Sequence, residues 1–345
     1  MKILFTSDYC EGAAPEIIDR LVKTNMDQTI GYGEDEVSAR ARELIKKECG
    51  REDVDVHFLV GGTQTNTTVI TSVLKPYQGV LCAASGHINQ HETGAIEHGG
   101  HKVLALPPTL GKITAKQIDE YIQEHYANPD QVHIVQPGMV YISFSTELGT
   151  IYTLAELRDI STVCRRHNVP LFVDGARLGY GLMSESCDVT LRDLAQLVDI
   201  FYIGGTKQGA LFGEAVVITA DRLKKDFRYC IKQGGGMLAK GRLLGLQFET
   251  LFTDGLYWKL ARHADVQAAR IKEAFARKGY DFLIDSPTNQ QFPILSAEQR
   301  KVFGEKFLFE IWQPLEGGRA GVRFCTSWAT KPENVDILVK FIEEN

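Results

Sequence analysis

Short apolar runs alternate with amphipathic stretches between about residues 54 and 220, and that alternation predicts strands separated by helices. Residues 56–60, 79–83, 103–106, 133–135, 171–173, 200–203 and 215–218 read as strands. Helices are expected over 65–74, 88–98, 114–126 and 154–167, the third opened by Thr114-Ala115-Lys116-Gln117 as a capping box. Repeating units of this kind fold as an α/β, doubly wound, mainly parallel sheet. Past Gly234-Gly235-Gly236 the texture changes. A long helical pattern fills 240–277, and mixed short elements lead from Phe282 to a closing helix over 333–343. The chain is therefore expected to divide into a large unit, residues 1–240, and a smaller α+β unit, residues 241–345.

Composition narrows the function classes. A hydrophobic content of 44% and a charged content of 24% are ordinary for a soluble globular protein. The net charge of −6, with no long Lys/Arg cluster, lacks the footprint of a nucleic-acid binder. Seven scattered cysteines without a C-x-x-C pair argue against a disulfide framework and a thiolate metal site. The opening from Met1 to Asp8 turns polar after three apolar residues, which fits neither a signal peptide nor a membrane span. A cytoplasmic protein with a small-molecule site is expected.

Chemistry gathers at the ends of the apolar runs. Asp174 heads Asp174-Gly175-Ala176-Arg177, and Lys207 follows Ile203-Gly204-Gly205-Thr206. Both would sit at strand ends, where α/β folds place ligands. A lysine amine to hold an aldehyde and an acid to keep a pyridine nitrogen protonated are what pyridoxal 5'-phosphate (PLP) needs from a protein. Gly61-Gly62-Thr63-Gln64-Thr65-Asn66 lies between a predicted strand and helix, where glycines and free N–H groups can cradle a phosphate. A plain turn would use the same glycines, and without a Walker lysine a nucleotide loop is not expected. His87, after the next strand, offers a ring face and a proton-transfer group. His91, His98 and His101 stand nearby with spacing poor for zinc, so no metal is expected. Arg323 interrupts an apolar run in Gly321-Val322-Arg323-Phe324-Cys325, either to grip a substrate carboxylate or to form an internal ion pair.

Taken in order along nearly the whole chain, these residues resemble the threonine aldolase family, among the β-eliminating lyases of the aspartate-aminotransferase-like (fold type I) PLP enzymes. Ser7-Asp8, Tyr32-Gly33-Glu34-Asp35, Gly62-Thr63-Gln64-Thr65-Asn66, His87 with Glu92, Val173 to Arg177, Lys207, Gly234-Gly235-Gly236-Met237 and Arg323 carry the resemblance. It implies Lys207 as the cofactor-bearing lysine, His87 stacked on the ring, and Gly62, Thr63, Gln64 and Arg177 among the cofactor contacts. Ser7, Arg177 and Arg323 would grip the substrate carboxylate. It also implies a homodimer or homotetramer that cleaves a β-hydroxy-α-amino acid to glycine and an aldehyde. Two positions depart from the family pattern. Glu147, in Phe144-Ser145-Thr146-Glu147, stands where a histidine is usual, so the hydroxyl base is His87, Glu147 or a water. Leu238 replaces an arginine, with Lys240 and Arg242 as candidate substitutes. β-Elimination or transamination of another amino acid is the alternative reaction.

Overall fold

The computed structural model describes residues 2–345. Strand β1 (Ile3–Leu4) stands apart from the main sheet, which holds β2 (Asp55–Leu59), β3 (Gln78–Ala83), β4 (Val103–Leu106), β5 (Gln136–Ser143), β6 (Leu171–Asp174), β7 (Ile200–Gly204) and β8 (Glu214–Ile218). Their order across the sheet is β2-β8-β7-β6-β5-β3-β4. Only β8 is reversed: it pairs antiparallel with β2 and β7, and every other ladder is parallel. It therefore starts at the sheet edge where the parallel strands finish.

Both faces of the sheet are covered, which is why its strands read as unbroken apolar runs. Leu81, Val140, Val173, Phe201 and Val217 belong to one buried cluster, while Val80, Met139, Phe172, Ile200 and Val216 belong to another. Neighbouring residues alternate between the clusters with the strand period of two.

A second sheet is built on β13 (Ala320–Cys325), antiparallel to β9 (Gln290–Gln291), β10 (Ile294–Leu295) and β12 (Glu310–Pro314). Its core joins Phe275, Phe303, Phe307, Phe324 and Leu338. Two elements pack across the 240/241 division expected from sequence. β1 pairs with β11 (Phe307–Leu308), which brings Phe5 into that core. Helix Arg242–Phe252 sends Leu246, Phe248 and Leu251 into the core of the main sheet.

Three expected elements differ. The helix expected over 88–98 is two short turns, His87–Gln90 and Ala95–His98, because Thr93 and Gly94 take left-handed φ angles of 53° and 70°. The break turns Glu92 inward onto Asn66. Residues 133–135 are not a strand: a 3₁₀ turn covers Gln131–His133, and β5 begins at Gln136, opposite the first residue of β3. The long pattern over 240–277 splits into Arg242–Phe252 and Leu256–Arg277, with Asp254 and Gly255 left-handed between them. The capping box at Thr114 and Gln117 is formed in both directions. Among the described residues no helix is long and apolar enough to cross a membrane, and no group of three or more His, Cys, Asp or Glu side chains could hold a metal ion.

Candidate active site

Parallel strands deliver polar residues to one edge of the main sheet. β5 ends at Ser143 and β6 at Asp174, which are register partners. Three residues past the end of β7 comes Lys207, and the turns after β3 and β2 carry His87 and Gly62. One cavity is lined by Gly62, His87, Glu147, Asp174, Arg177 and Lys207. The turn after Asp174 needs glycine for space: a Cβ on Gly175 would lie 1.8 Å from the carbonyl oxygen of Tyr202.

Asp174 is buried and fully engaged. Its Oδ2 accepts from the Tyr141 hydroxyl at 2.5 Å and from Asn66 Nδ2 at 3.1 Å. Its Oδ1 accepts from the Tyr202 hydroxyl at 2.5 Å and from the Ala176 N–H at 3.0 Å. Burial pushes the carboxyl pKa up, but the His87 charge, the two phenols and the amide together outweigh it and hold the value below the ordinary one. Glu147 goes the opposite way. Burial raises it above the usual carboxylate range, against the Ser143 hydroxyl at 2.7 Å and with Asp174 adding to the rise. Two carboxyls in one cavity with pKa values pushed apart are suited to different tasks: one stays charged, the other can take up a proton.

Glu147 also accepts from the His87 N–H at 2.9 Å, through the same Oε1 that binds Ser143. The His87 ring contacts Glu92 Oε1 through Nδ1 at 2.7 Å. A carboxylate only accepts, so Nδ1 carries the proton and donates it to Glu92 as a hydrogen bond, which leaves the Nε2 lone pair as the acceptor of the ring. Lys207 is held below its ordinary pKa by burial first and by the Arg177 charge second, which leaves more of the amine neutral and nucleophilic. Among the described residues its Nζ has no hydrogen-bond partner.

Arg177 lines the cavity with part of its guanidinium already paired. Nε and Nη2 form a two-pronged pair with the buried Asp8, at 2.7 and 3.0 Å, and Asn289 Nδ2 adds a third bond to that carboxylate at 2.9 Å. Ser7 and Arg323 do not line the cavity. Arg323 pairs with Glu310, donates to Thr6 O at 2.9 Å, and lies 4.9 Å from the centre of the Trp312 ring. His91 links the two regions, with ring centres 5.6 Å from His87 and 6.5 Å from Trp312. The helix Gly62–Val73 starts at the expected phosphate loop, and the N–H groups of Gly62, Thr63 and Gln64 precede its first intrahelical bond, Thr65 N–H to Gly61 O. The Gln64 side chain is occupied, accepting from Val60 and donating to Gly234 O.

A model of the beta-eliminating lyase family matches residues 5–303. The chain belongs to the beta-eliminating lyase family. A low specificity L-threonine aldolase from Pseudomonas sp. (strain NCIMB 10558) is 30% identical over 339 residues, which span 96% of this chain and 94% of the relative. The structure of Leishmania major threonine aldolase superposes with a TM-score of 0.96 at 43% identity, covering 99% of each chain. Histidinol-phosphate aminotransferase from Clostridium acetobutylicum shares the fold at a TM-score of 0.74 and 10% identity, over 99% of this chain and 98% of its own.

This beta-eliminating lyase commits Arg242 elsewhere, to the carbonyl and hydroxyl oxygens of Thr24, while Lys240 is exposed beside the half-buried Leu238. Several residues around the site carried no distinguishing mark in the sequence. Tyr141 and Tyr202 sit within apolar strands and look like core. Asp8 was visible only as part of a Ser-Asp pair, and its partner is 169 positions away.

Proposed function

We propose that this lyase cleaves the Cα–Cβ bond of threonine and similar β-hydroxy-α-amino acids, giving glycine and an aldehyde, with PLP as cofactor. The observation that carries the reading is the convergence of an unpartnered lysine amine, an ionised buried carboxylate, an imidazole and an open helix start on one cavity, in a chain whose near-full-length relatives are threonine aldolases. The residues fit the cofactor. Lys207 would hold its aldehyde carbon, Asp174 its ring nitrogen, His87 its face, and the N–H groups from Gly62 to Gln64 its phosphate. Unpaired buried hydroxyls on Thr65 and Ser145 leave further donors for its oxygens. When bound, PLP supplies an electron sink for the pair released from the broken bond.

The protein's own part is placement and proton transfer. Cleavage needs Cα–Cβ perpendicular to the conjugated system, so the substrate carboxylate must be held at a fixed angle. Arg323 would hold it with help from Ser7, and the carboxylate would replace Glu310 on the guanidinium. Arg177, already matched to Asp8, fixes the floor of the site. Glu147 takes the hydroxyl proton, since its Oε2 is free while Oε1 is bound, and His87 Nε2 is the second candidate. The same reading makes the protein a cytoplasmic homo-oligomer; the hollow lined by Tyr32, Tyr229 and Met237 supplies exposed aromatic surface for contact. Product analysis with threonine tests the reaction. Equimolar glycine and acetaldehyde are expected; 2-oxobutanoate with ammonia in their place would move the chain to elimination, and 2-oxo-3-hydroxybutanoate to transamination.

Two further outcomes follow. A buried carboxylate acting as base is active only when ionised, so kcat/KM should fall as pH drops through the raised Glu147 value, above the ordinary carboxylate range. Glu147→Gln should lower kcat about 10²-fold and erase that acid limb. A pH–rate profile that keeps the limb in the variant assigns the base to His87 or water. Glu310 is half exposed and competes with substrate for Arg323. Glu310→Gln should lower KM for threonine about two- to fivefold, as a screened pair of at most about 1 kcal/mol allows. Arg323→Ala should raise KM about tenfold or more. Steady-state kinetics on both variants checks the pair, and an unchanged KM in Arg323→Ala removes that residue from the site.

A further inference from the structure

Glu214 is a buried acid that the mechanism above does not use. It is the first residue of β8, and because that strand alone is reversed, its start lies beside the end of β7 and opposite Leu59 of β2. The nine residues between Gly204 and Glu214 form the loop that carries Lys207. Glu214 closes this loop from below: Oε2 accepts from the Gly205 N–H at 2.9 Å, and Oε1 accepts from the Thr206 hydroxyl at 2.8 Å. Thr206 Oγ1 accepts in turn from the Gly213 N–H at 3.1 Å, while Gly213 O receives the N–H groups of Gly205 and Thr206 at 3.0 and 3.1 Å. The two residues immediately before Lys207 are thus both fastened to one carboxylate.

Such a carboxylate is an unusual choice for a structural clasp. It is 3% exposed and has no arginine or lysine in hydrogen-bond contact. An amide or a serine would close the same loop without burying a charge. The charged and titratable groups facing it are Lys207 on its own loop, Asp174 on β6, Tyr202 on β7 and Tyr257 on helix Leu256–Arg277. Only Lys207 among them is cationic, and Lys207 itself faces Arg177, which opposes its positive charge, and Asp8, which favours it. We propose that Glu214 is a positioning residue for Lys207: its carboxylate fixes Gly205 and Thr206 so that the lysine nitrogen is held towards the cavity, and its negative charge favours the protonated form of that nitrogen. The geometry has an energetic counterpart. Burial first, opposed by the Thr206 and Gly205 hydrogen bonds and by Lys207, leaves Glu214 at about 7, so its charge switches on across the neutral range and couples to the lysine.

The inference rests on reading Lys207 as the cofactor-bearing residue, and the two can be separated experimentally. Borohydride reduction of the PLP-loaded enzyme followed by peptide mass spectrometry locates the modified lysine, and a site other than Lys207 overturns both. With Lys207 established, the absorption spectrum of loaded enzyme is titrated with pH. Glu214→Gln should move the midpoint of the spectral transition to lower pH by about half a unit or more, because the charge that favours the protonated nitrogen is gone. Glu214→Asp keeps a charge on a shorter stem and should return most of that shift, even where its thermal stability falls as far as that of the Gln variant. A purely structural clasp predicts instead that neither variant moves the midpoint, and that result refutes the proposal. Should Glu214→Gln not fold, coupling is read from the other side. In Lys207→Ala the infrared signal of the protonated Glu214 carboxyl should persist to higher pH than in wild type, since interactions between two sites are reciprocal. An unchanged midpoint for that signal would refute the coupling equally.

Discussion

Lys207→Ala stops threonine cleavage, with kcat falling on the order of 10³-fold or more, equivalent to a barrier increase of about 4 kcal/mol. The size of the effect follows from the site: among the described residues no other lysine lines the cavity, so no neighbouring amine can take over. The variant should remain folded, because replacing a long side chain whose amine has no hydrogen-bond partner leaves no buried group unsatisfied. It should also retain some PLP through the helix start at Gly62 and through Asp174, now without a covalent link. Activity assays, absorption spectra and borohydride trapping on wild type and variant together check this. A variant with wild-type turnover, or a trapped residue elsewhere, would remove Lys207 from its assigned place.

Asp174→Asn should be nearly as damaging to turnover and more damaging to the fold. With PLP bound as proposed, an ionised carboxylate would keep the ring nitrogen protonated and the electron sink deep; a neutral amide would not. Loss of such a preorganised charge costs about 3–4 kcal/mol of transition-state stabilisation, or roughly 10²–10³-fold in kcat. The buried carboxylate also accepts from Tyr141, Tyr202, Asn66 and the Ala176 N–H, all of them donors. An Asn places an NH₂ group against two of these, so a stability loss of about 1–3 kcal/mol is expected as well. The two effects separate by measuring kcat at saturating cofactor alongside thermal unfolding. Full activity with only reduced stability would make Asp174 a structural acceptor.

The sequence made the cavity-lining edge of the sheet largely legible because its residues interrupt or end apolar runs, where a polar group must have a reason to be. Asp174, Lys207 and His87 could be found that way. Tyr141 and Tyr202 could not, since a tyrosine inside an apolar strand looks like core until the strand's neighbours are known. Glu214 lies one residue before an apolar run, in the position of an ordinary strand-starting polar residue, and only the reversal of β8 brings it under the lysine loop. Strand β5 begins just past the strand expected over 133–135, and it carries Pro137-Gly138, a pair ill suited to a strand interior. In the sheet the proline coincides with a register shift against Gly79 and Val80, and a Cβ on Gly138 would meet Gln78 and Leu74 at 2.8 Å. The break at Thr93-Gly94 turns Glu92 onto Asn66 and His87, and the apolar periodicity over 88–98 carries no sign of those distant contacts.

The contacts made by residues 5–8 bear on how the protein is made. Phe5 O accepts from the Cys325 N–H at 2.8 Å, Thr6 O accepts from Arg323, and Asp8 accepts from both Arg177 and Asn289. During synthesis the first of these residues leaves the ribosome some 320 positions ahead of its partner. The main sheet and its lysine can be assembled from the nascent chain well before then, and Asp8 can meet Arg177 early, yet Phe5 and Thr6 lack their last partners until β11 and β13 emerge. A nascent chain stalled before residue 320 would therefore carry every residue that lines the cavity, all of them at or before Lys207, while still lacking Arg323 and the strand that anchors Phe5 and Thr6.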